Sequence, residues 1–299
     1  FRCIAERCRH SCCIGWEIDI DDETRAYYQT VPGAFGKRLN QAIDDSASPA
    51  HFRLLEGDRC PLLNPNGLCD LICHLGEQHL CQICADHPRF RHFFTGRTEM
   101  GLGLCCEEAA RIALSQTEKA HLLLLEEDGE AAPLSPEEEE VLALRQELLA
   151  LLQCREMPFP KRLDALLEAV SFSLPEGDWA AVYRSLERLD PAWDDALNTL
   201  PSSLPPCTCP AHLALPMEQF AAYLLFRHLP KALEDGDVQG WTAFCVLSAR
   251  MVLALCAAKP HCTFADLCEL VRMYSAEIEY SDENMDALLD ALWAFPEAP

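Results

Sequence analysis

Cysteine is concentrated at the start of this 299-residue chain. Eleven of its 18 cysteines fall within the first 106 residues: Cys3, Cys8, Cys12, Cys13, Cys60, Cys69, Cys73, Cys81, Cys84, Cys105 and Cys106. Thiols gathered so densely either pair as disulfides or bind a metal ion or an iron–sulfur cluster. Either role constrains the fold, because disulfides and metal–thiolate bonds both hold together loops that lack regular secondary structure.

The spacing leaves several alternatives open. Cys8 and Cys12 lie four residues apart, which predicts one face of a helical turn, whereas the adjacent Cys12 and Cys13 must point in different directions. A disulfide module is disfavoured, because the chain is long enough to bury a core and shows no secretory signal. Zinc sites commonly use paired C-x2-C motifs, and Cys81 and Cys84 supply one such pair. Unevenly spaced thiolates are also typical of iron–sulfur proteins.

The later cysteines suggest other roles. Cys207 and Cys209 lie in a proline-rich loop with His212, which is a weak signal for a further metal site. Apolar helical positions predict that four others serve as small core residues: Cys154, Cys245, Cys256 and Cys268.

The sequence changes character near residue 106. Before it lie strand candidates at 16–20 and a possible hairpin over 90–104 around Thr95 and Gly96. After it, apolar periodicity predicts helices at 107–125, from Ser135 onward, and at 160–172, 177–189, 217–234, 238–258, 263–278 and 281–293, with a loop at 201–216. Capping pairs support three of the helix starts: Ser135 with Glu138, Thr263 with Asp266, and Ser281 with Asn284.

We therefore predict a mainly α fold, in which a cysteine-rich N-terminal part of loops and short strands packs on a helical C-terminal part. Residues 1–106 would form the metal-binding part and residues 107–299 the helical domain, with an exposed acidic linker near 126–140.

Charge and hydropathy narrow the possible partners. The formal net charge of −24 argues against nucleic-acid binding, which needs basic patches. An acidic surface of this kind serves solubility or attracts a cationic partner. The apolar stretch 241–258 contains Arg250 and is short for a membrane span, so we expect a buried helix and no transmembrane segment.

Several motifs along the chain form a recognisable set. In the first part they are Cys3-x4-Cys8-x3-Cys12-Cys13-x-Gly15-Trp16, Cys60-Pro61-Leu62-Leu63 with Leu68-Cys69, Leu75-Gly76-Glu77 with Cys84-x3-Pro88-Arg89, and Cys106-Glu107-Glu108-Ala109-Ala110. In the second part they are Tyr223-Leu224-Leu225-Phe226-Arg227-His228 and Ile278-Glu279-Tyr280-Ser281-Asp282-Glu283-Asn284. Together these motifs resemble those of the flagellin lysine N-methylases, the FliB-type proteins.

The resemblance implies a cytoplasmic bacterial enzyme that methylates lysines of flagellin, or of another lysine-bearing protein. It further implies S-adenosylmethionine as methyl donor and an oxygen-sensitive [4Fe–4S] cluster, with zinc as the alternative metal. The cysteines that match the family are Cys3, Cys8, Cys12, Cys13, Cys60, Cys69, Cys84 and Cys106. Because a cubane takes four thiolates, which of these eight bind it stays open. Cys73, Cys81 and Cys105 are extra cysteines of this chain.

Lysine methylation needs a neutral amine, whereas free lysine has a pKa of about 10.4. The matched helical motifs suggest catalytic roles for Tyr223, Glu277 and Tyr280, which would attract the lysine or move its proton. Arg227 and His228 would bind the methyl donor, since arginine suits bidentate contact with a carboxylate.

Structural roles compete with these assignments. Tyr274 and Glu279 are further candidates, but Glu277 and Glu279 are also readily explained as helix-surface charges. Arg227 and His228 would equally form a buried pair. Tyr280 stands where the family has histidine, and Glu107 stands where it has proline.

The assignment of S-adenosylmethionine as the methyl donor rests on the resemblance alone. Neither of the two usual sequence signatures for this cofactor is present, a C-x3-C-x2-C motif or a strand followed by G-x-G-x-G. The rival hypothesis is a non-catalytic protein that binds zinc or iron or senses redox state. A zinc-stapled helical adaptor for a basic partner is a third.

Overall fold

The computed structural model describes residues 1–127, 129, 132–201 and 204–294. The fold is mainly α, with short strands confined to the N-terminal part, as the sequence predicts. Two compact units arise: one comprises Phe1–Phe90 and Cys106–Glu108, and the other comprises Arg91–Cys105 and Ala109–Pro299. The partition by role at residue 106, into a metal-binding and a helical part, stays a prediction.

The first unit is built from short elements. In chain order they are β1 (Asp19–Ile20), α1 (Asp22–Thr30), α2 (Gly33–Gln41), β2 (Ile43–Asp44), β3 (Ala50–Phe52), α3 (Asp70–Leu75) and α4 (Gln82–Asp86). The strands form an antiparallel sheet in the order β1-β3-β2, with Asp19 opposite His51 and Ile43 opposite Phe52. A small apolar core, which includes Ile18 and Tyr28, lies within this unit.

Three features of this unit differ from the predictions. The strand expected at 16–20 is limited to Asp19–Ile20, and α1 and α2 were not predicted. Helix α1 buries Tyr28 on an otherwise polar surface, so it lacks the apolar periodicity that signals a helix. The helical turn predicted from Cys8 to Cys12 is wrong, because a 3₁₀ turn at Ala5–Arg7 ends at Cys8 and a bend at Arg9 and His10 follows.

The predicted hairpin is confirmed. Strand β4 (Arg89–Phe94) pairs with β5 (Arg97–Leu102) around Thr95 and Gly96. Gly96 adopts a φ of +71°, which glycine tolerates more readily than other residues.

The second unit is helical. Its helices are α5 (Glu107–Leu114), whose first two residues belong to the first unit, α6 (Pro136–Leu152), α7 (Phe159–Ala169), α8 (Trp179–Ser185), α9 (Pro191–Leu197), α10 (Ala214–His228), α11 (Ala232–Asp235), α12 (Val238–Ala258), α13 (Phe264–Tyr274) and α14 (Asp282–Ala294). Helix α5 ends well before the predicted residue 125, because the leucines at 122–125 are exposed and offer no face to bury. A π-helical turn at Ser275–Glu279 continues α13 toward α14.

Capping explains why several helix starts were predicted correctly. Ser135 and Glu138 form a complete capping box, as do Thr263 and Asp266. The Asn284 N–H donates to Ser281 Oγ at 3.1 Å. Of the predicted acidic linker, residues 128, 130 and 131 lie outside the described residues.

Helix α12 runs through the core of the second unit. By length and composition it could cross a bilayer, but 83% of its most apolar 18-residue window is buried inside the structure. Arg250 in this helix pairs with Asp164 of α7 at 2.7 Å. This packing is what we expect of a core helix.

Candidate functional site

Every one of the 18 cysteines is a free thiol in the structure. In the first unit, the thiols that match the resemblance fall into two groups by the charges that act on one another, and the two groups meet where the Cys12 and Cys13 thiols are hydrogen-bonded. The outer thiol set consists of Cys3, Cys8, Cys12 and Cys106. The inner thiol set consists of Cys13, Cys60, Cys69 and Cys84.

The thiols of the outer set affect one another's pKa through their charges. Burial raises the pKa of the Cys8 thiol, and the charges of Cys106 and Cys3 raise it further. For Cys12, contact with the Cys13 thiol has the largest effect, followed by burial, and the charges of Cys3 and Cys106 again raise the pKa. Cys3 and Cys106 therefore both lie within electrostatic range of Cys8 and of Cys12.

Glu107 anchors the outer set. Its carboxylate accepts hydrogen bonds from the Arg9 backbone N–H at 2.9 Å and from Arg9 Nε at 3.0 Å. Cys8 Sγ lies 3.9 Å from Glu107 Oε2. Because Glu107 follows Cys106 directly, these bonds hold the N-terminal loop beside Cys106.

The inner thiol set lies against the core of the first unit. Cys60 is buried, and Cys13, Cys69 and Cys84 pack against the same apolar cluster. Burial raises the pKa of Cys60 to about 12 and that of Cys69 to about 11, and in both cases the charge of Cys13 adds to the effect. For Cys84, the hydrogen bond with the Cys81 thiol has the largest effect in raising the pKa, followed by burial, and the charges of Cys13 and Cys69 add to the effect.

Cys13 is the thiol of this group that ionises most readily. Its hydrogen bond with the Cys12 thiol lowers its pKa to about 7 against the opposing effect of burial. The Ser11 hydroxyl and the positive charge of Arg59 act in the same direction. Cys13 is therefore partly thiolate near neutral pH, the form in which cysteine binds metals.

The additional cysteines differ in position. Cys73 is exposed on α3, and Cys81 is buried with its thiol hydrogen-bonded to that of Cys84. Cys105 belongs to the second unit, where its thiol contacts Tyr280.

In neither set do the four cysteine sulfurs converge on one point where a metal ion would bind. Among residues 1–127, 129, 132–201 and 204–294, no group of three or more His, Cys, Asp or Glu side chains already has metal-binding geometry. The donor chemistry nevertheless fits a thiolate-bound metal, since each set supplies four sulfurs, the number that a tetrahedral zinc or a cubane takes.

The second unit contains a cluster of ionisable side chains around Glu279. The Glu279 carboxylate is fully buried and lies 2.7 Å from His228 Nε2 and 2.9 Å from the Tyr223 hydroxyl, which donates to it. Arg227 Nη1 lies 3.9 Å from the same carboxylate and donates to the Tyr223 oxygen at 2.7 Å. Three of the predicted site residues, Tyr223, Arg227 and His228, are thus brought together.

The electrostatics of this cluster keep Glu279 charged. Burial acts to raise its pKa, but Arg227 and His228 outweigh burial and lower the pKa to about 2. Burial raises the pKa of Tyr223 well above its usual value and lowers that of His228. At neutral pH the cluster therefore holds an Arg227–Glu279 ion pair together with a neutral phenol and a neutral imidazole.

Tyr280 forms the exposed end of the cluster, with 48% of its surface accessible. The Arg227 guanidinium lies over its ring, 4.5 Å from the centroid. The backbone at Gly103 approaches closely, since a Cβ there would lie 2.1 Å from the Tyr280 oxygen. Burial raises the pKa of Tyr280, so its hydroxyl remains protonated near neutral pH.

Glu277 does not join this cluster. Its two carboxylate oxygens accept the backbone N–H groups of Leu189 at 2.9 Å and Asp190 at 2.8 Å, just before α9. Tyr274 is also buried elsewhere, where its hydroxyl donates to Ser248 at 2.6 Å. Glu277 and Tyr274 therefore have structural roles, since their polar groups bind other parts of the helical unit.

The expectation that Glu277 and Glu279 are helix-surface charges is wrong, because both are buried. Glu279 could have been singled out from its motif with Tyr280, but the sequence offers no sign that it, rather than Glu277, pairs with Arg227. Gly103 was also missed, since its importance depends on a close approach that only the fold reveals.

The remaining cysteines largely follow the predictions. Cys245 and Cys256 are buried in α12, whereas Cys154 and Cys268 are half-buried. His212 Nε2 lies 2.9 Å from the carbonyl oxygen of Cys262, so it contacts backbone near the loop of Cys207 and Cys209.

Comparison with known proteins finds a partial similarity. The chain is 26% identical over 153 residues to a lysine-N-methylase of Salmonella typhimurium strain LT2, covering 48% of this chain and 38% of the relative. A lysine-N-methylase of Salmonella choleraesuis matches to the same extent. The flagellar biosynthetic protein FliU of Salmonella muenchen is 27% identical over 114 residues, 36% of this chain and 68% of the relative.

No protein-family model matches the sequence, and no solved structure matches it. The matched segment spans well under half the length of the two lysine-N-methylases. The sequence is thus distantly similar, over about half its length, to lysine-N-methylases.

Proposed function

We propose that this protein is an S-adenosylmethionine-dependent lysine N-methyltransferase that acts on flagellin in the bacterial cytoplasm and requires a cysteine-bound iron–sulfur cluster. The observation that carries the proposal is the similarity to lysine-N-methylases over 153 residues. The flagellar relative supports flagellin as the substrate.

Methyl transfer requires that the site bind the methyl donor, bind the substrate lysine and allow the proton of the lysine ammonium to leave. Transfer of a methyl group from a sulfonium depends mainly on alignment of donor and acceptor. The lysine ammonium must lose a proton before its nitrogen can attack.

Arg227 is the group that we assign to the donor. Its side chain is 11% exposed, and its planar guanidinium suits bidentate contact with the donor's carboxylate. Tyr223, His228 and Glu279 would act as positioning residues, because they hold Arg227 through the contacts of the buried cluster.

Tyr280 is the group that we assign to the lysine. Its half-exposed phenol can accept a hydrogen bond from the ammonium and direct the amine, while the proton leaves to solvent. The net charge of −24 would also favour the approach of a lysine-bearing segment. Glu277 has no place in this scheme, since two backbone amides occupy its carboxylate.

The thiols of the first unit would hold the iron–sulfur cluster. When bound, such a cluster would supply a redox-active iron centre and tie together the loops that carry the cysteines. The matched cysteines provide more thiolates than one cubane needs.

Steady-state kinetics of methyl transfer to purified flagellin test these roles. We expect Arg227→Lys to raise the KM for S-adenosylmethionine about tenfold or more, because a bidentate contact to a charged group is lost. Tyr280→Phe should lower kcat with little change in that KM.

Tyr183→Phe is the matched control, because it removes a buried tyrosine hydroxyl of the same unit that contacts Tyr274 instead. Equal losses in all three variants would contradict the assigned roles. An iron-containing wild-type protein that binds no S-adenosylmethionine and transfers no methyl group would favour the non-catalytic, redox-sensing alternative.

A further inference from the structure

We propose that the outer edge of β5 binds an extended, lysine-bearing segment of the substrate polypeptide as an added strand and places its lysine beside Tyr280. The inference rests on the proposed function for the identity of the polypeptide. The surface itself is formed by residues 91–102 of the β4–β5 hairpin, which lie with Tyr280 in the second unit.

The hairpin is a sheet of only two strands. Among the residues that the structure describes, β4 and β5 pair with each other and with no further strand. Each therefore has an outer edge, and the backbone N–H and C=O groups of such an edge can pair with an additional extended segment. A proline would block an edge by removing a donor, and neither strand contains one.

The two faces of the hairpin differ in burial. On the inner face, Glu99 is buried and pairs with Arg145 of α6 at 2.7 Å. Met100 follows Glu99 directly, so it points to the opposite face, where it is 41% exposed. Phe93 alternates likewise with the half-buried His92 and is 78% exposed. Apolar side chains exposed together in this way mark a surface for a partner.

Strand β5 runs directly toward the proposed lysine site. It ends at Leu102, and the following Gly103 approaches Tyr280 so closely that a Cβ there would lie 2.1 Å from the Tyr280 oxygen. Met100 and Gly103 are three residues apart, which is about 10 Å in extended backbone. A segment added along β5 therefore brings one side chain to Tyr280 while a residue about three positions away covers Met100.

Charge differs between the two ends of this surface. Asp282 and Glu283 follow Tyr280 closely in the sequence and are both exposed, so they attract a lysine ammonium. Arg91 is exposed on the same face as Phe93 and favours an acidic residue. The segment that fits best is thus extended and carries a lysine, an apolar residue about three positions away, and an acidic residue near the apolar one.

Steady-state kinetics with purified flagellin test the surface separately from the chemistry. Phe93→Ala should raise the KM for flagellin about tenfold or more, because an aromatic contact is lost, and should leave kcat and the KM for S-adenosylmethionine unchanged. The control is Leu124→Ala, which removes a side chain that is 80% exposed outside the hairpin and should change none of the three constants. Both positions are largely exposed, so both variants should fold.

An unchanged KM for flagellin in Phe93→Ala would overturn the inference and leave the proposed function standing. So would a dimer of the protein alone that Phe93→Ala dissociates, because the surface would then belong to a second copy of the chain.

Hydrogen exchange with and without flagellin tests strand addition and needs no methyl transfer. The outer-edge amides of β5 should exchange about tenfold more slowly in the complex, because they become hydrogen-bonded. Unchanged exchange in β5 at flagellin concentrations above the KM would contradict strand addition. Slower exchange in β5 without any methyl transfer would overturn the proposed function and support the surface as a site for an extended polypeptide.

Discussion

Glu279 illustrates how one buried carboxylate organises the second unit. Its side chain is fully buried, and it contacts His228 and Tyr223 while pairing with Arg227. Burying a charge is costly unless partners compensate for it, and a buried ion pair becomes strongly destabilising when one partner is removed.

We therefore expect Glu279→Gln to lower the free energy of unfolding by about 3–5 kcal/mol, because the buried Arg227 guanidinium would lose the opposing charge of Glu279. Chemical denaturation at pH 7 measures this loss. The control is Asp286→Asn, which neutralises an exposed carboxylate on α14 and should change stability little. Comparable effects of the two substitutions would contradict the account of the cluster.

The same residue predicts a dependence of stability on pH. The pKa of Glu279 falls from 4.5 to about 2 on folding, so its contribution is present above pH 4.5 and is lost as the pH falls toward 2. The stability difference between wild type and Glu279→Gln should therefore shrink over this range. A difference that stays constant from pH 5 to pH 2 would show that the carboxylate is not held charged by its neighbours.

Gly103 and Tyr280 should be energetically coupled. A Cβ at position 103 would lie 2.1 Å from the Tyr280 oxygen and 3.2 Å from Arg227 Nη1. Gly103→Ala should cost about 1–3 kcal/mol of stability, or displace the Tyr280 ring from Arg227.

Removing the hydroxyl should relieve most of this clash, so Gly103→Ala combined with Tyr280→Phe should be more stable than the sum of the single effects predicts. A double-mutant cycle from unfolding measurements gives the coupling. Simple additivity would mean that the two residues do not meet as described.

At the scale of elements, capping and apolar periodicity explain which parts of the fold the sequence predicts. Helix α12 occupies its predicted range of 238–258, and the capping pairs at Ser135 and Thr263 form as expected. Helices α1 and α2 were not predicted, because short helices that bury few apolar side chains leave little periodicity.

Helix α6 offers a test of this reasoning. Ser135→Ala removes the acceptor for the Glu138 N–H and should destabilise the protein by about 1 kcal/mol. Ser135→Asp keeps an acceptor and should restore most of the loss in thermal or chemical unfolding. An unaffected Ser135→Ala protein would show that tertiary packing alone fixes the start of α6.

Irregular elements set the limit of prediction for the site. The π-helical turn at Ser275–Glu279 interrupts the helical period just where the two carboxylates lie. Glu277 consequently reaches the backbone before α9, whereas Glu279 reaches His228 and Arg227. Residues two positions apart therefore have different roles, which no helical pattern distinguishes.

For the whole molecule, the sequence predicts the mainly α class and the concentration of thiols, but not how the thiols are grouped. Cys106 joins Cys8 and Cys12 although more than ninety residues separate them along the chain. Such contacts depend on the path of every intervening loop, so spacing alone cannot divide the matched cysteines into sets.

The most direct test of the central claim is mass spectrometry of flagellin after incubation with the anaerobically purified protein and isotope-labelled S-adenosylmethionine. We expect labelled methyl groups on lysine side chains, in amounts that grow with time and with protein concentration. Flagellin that stays unlabelled in the presence of a folded, iron-containing protein would contradict the account.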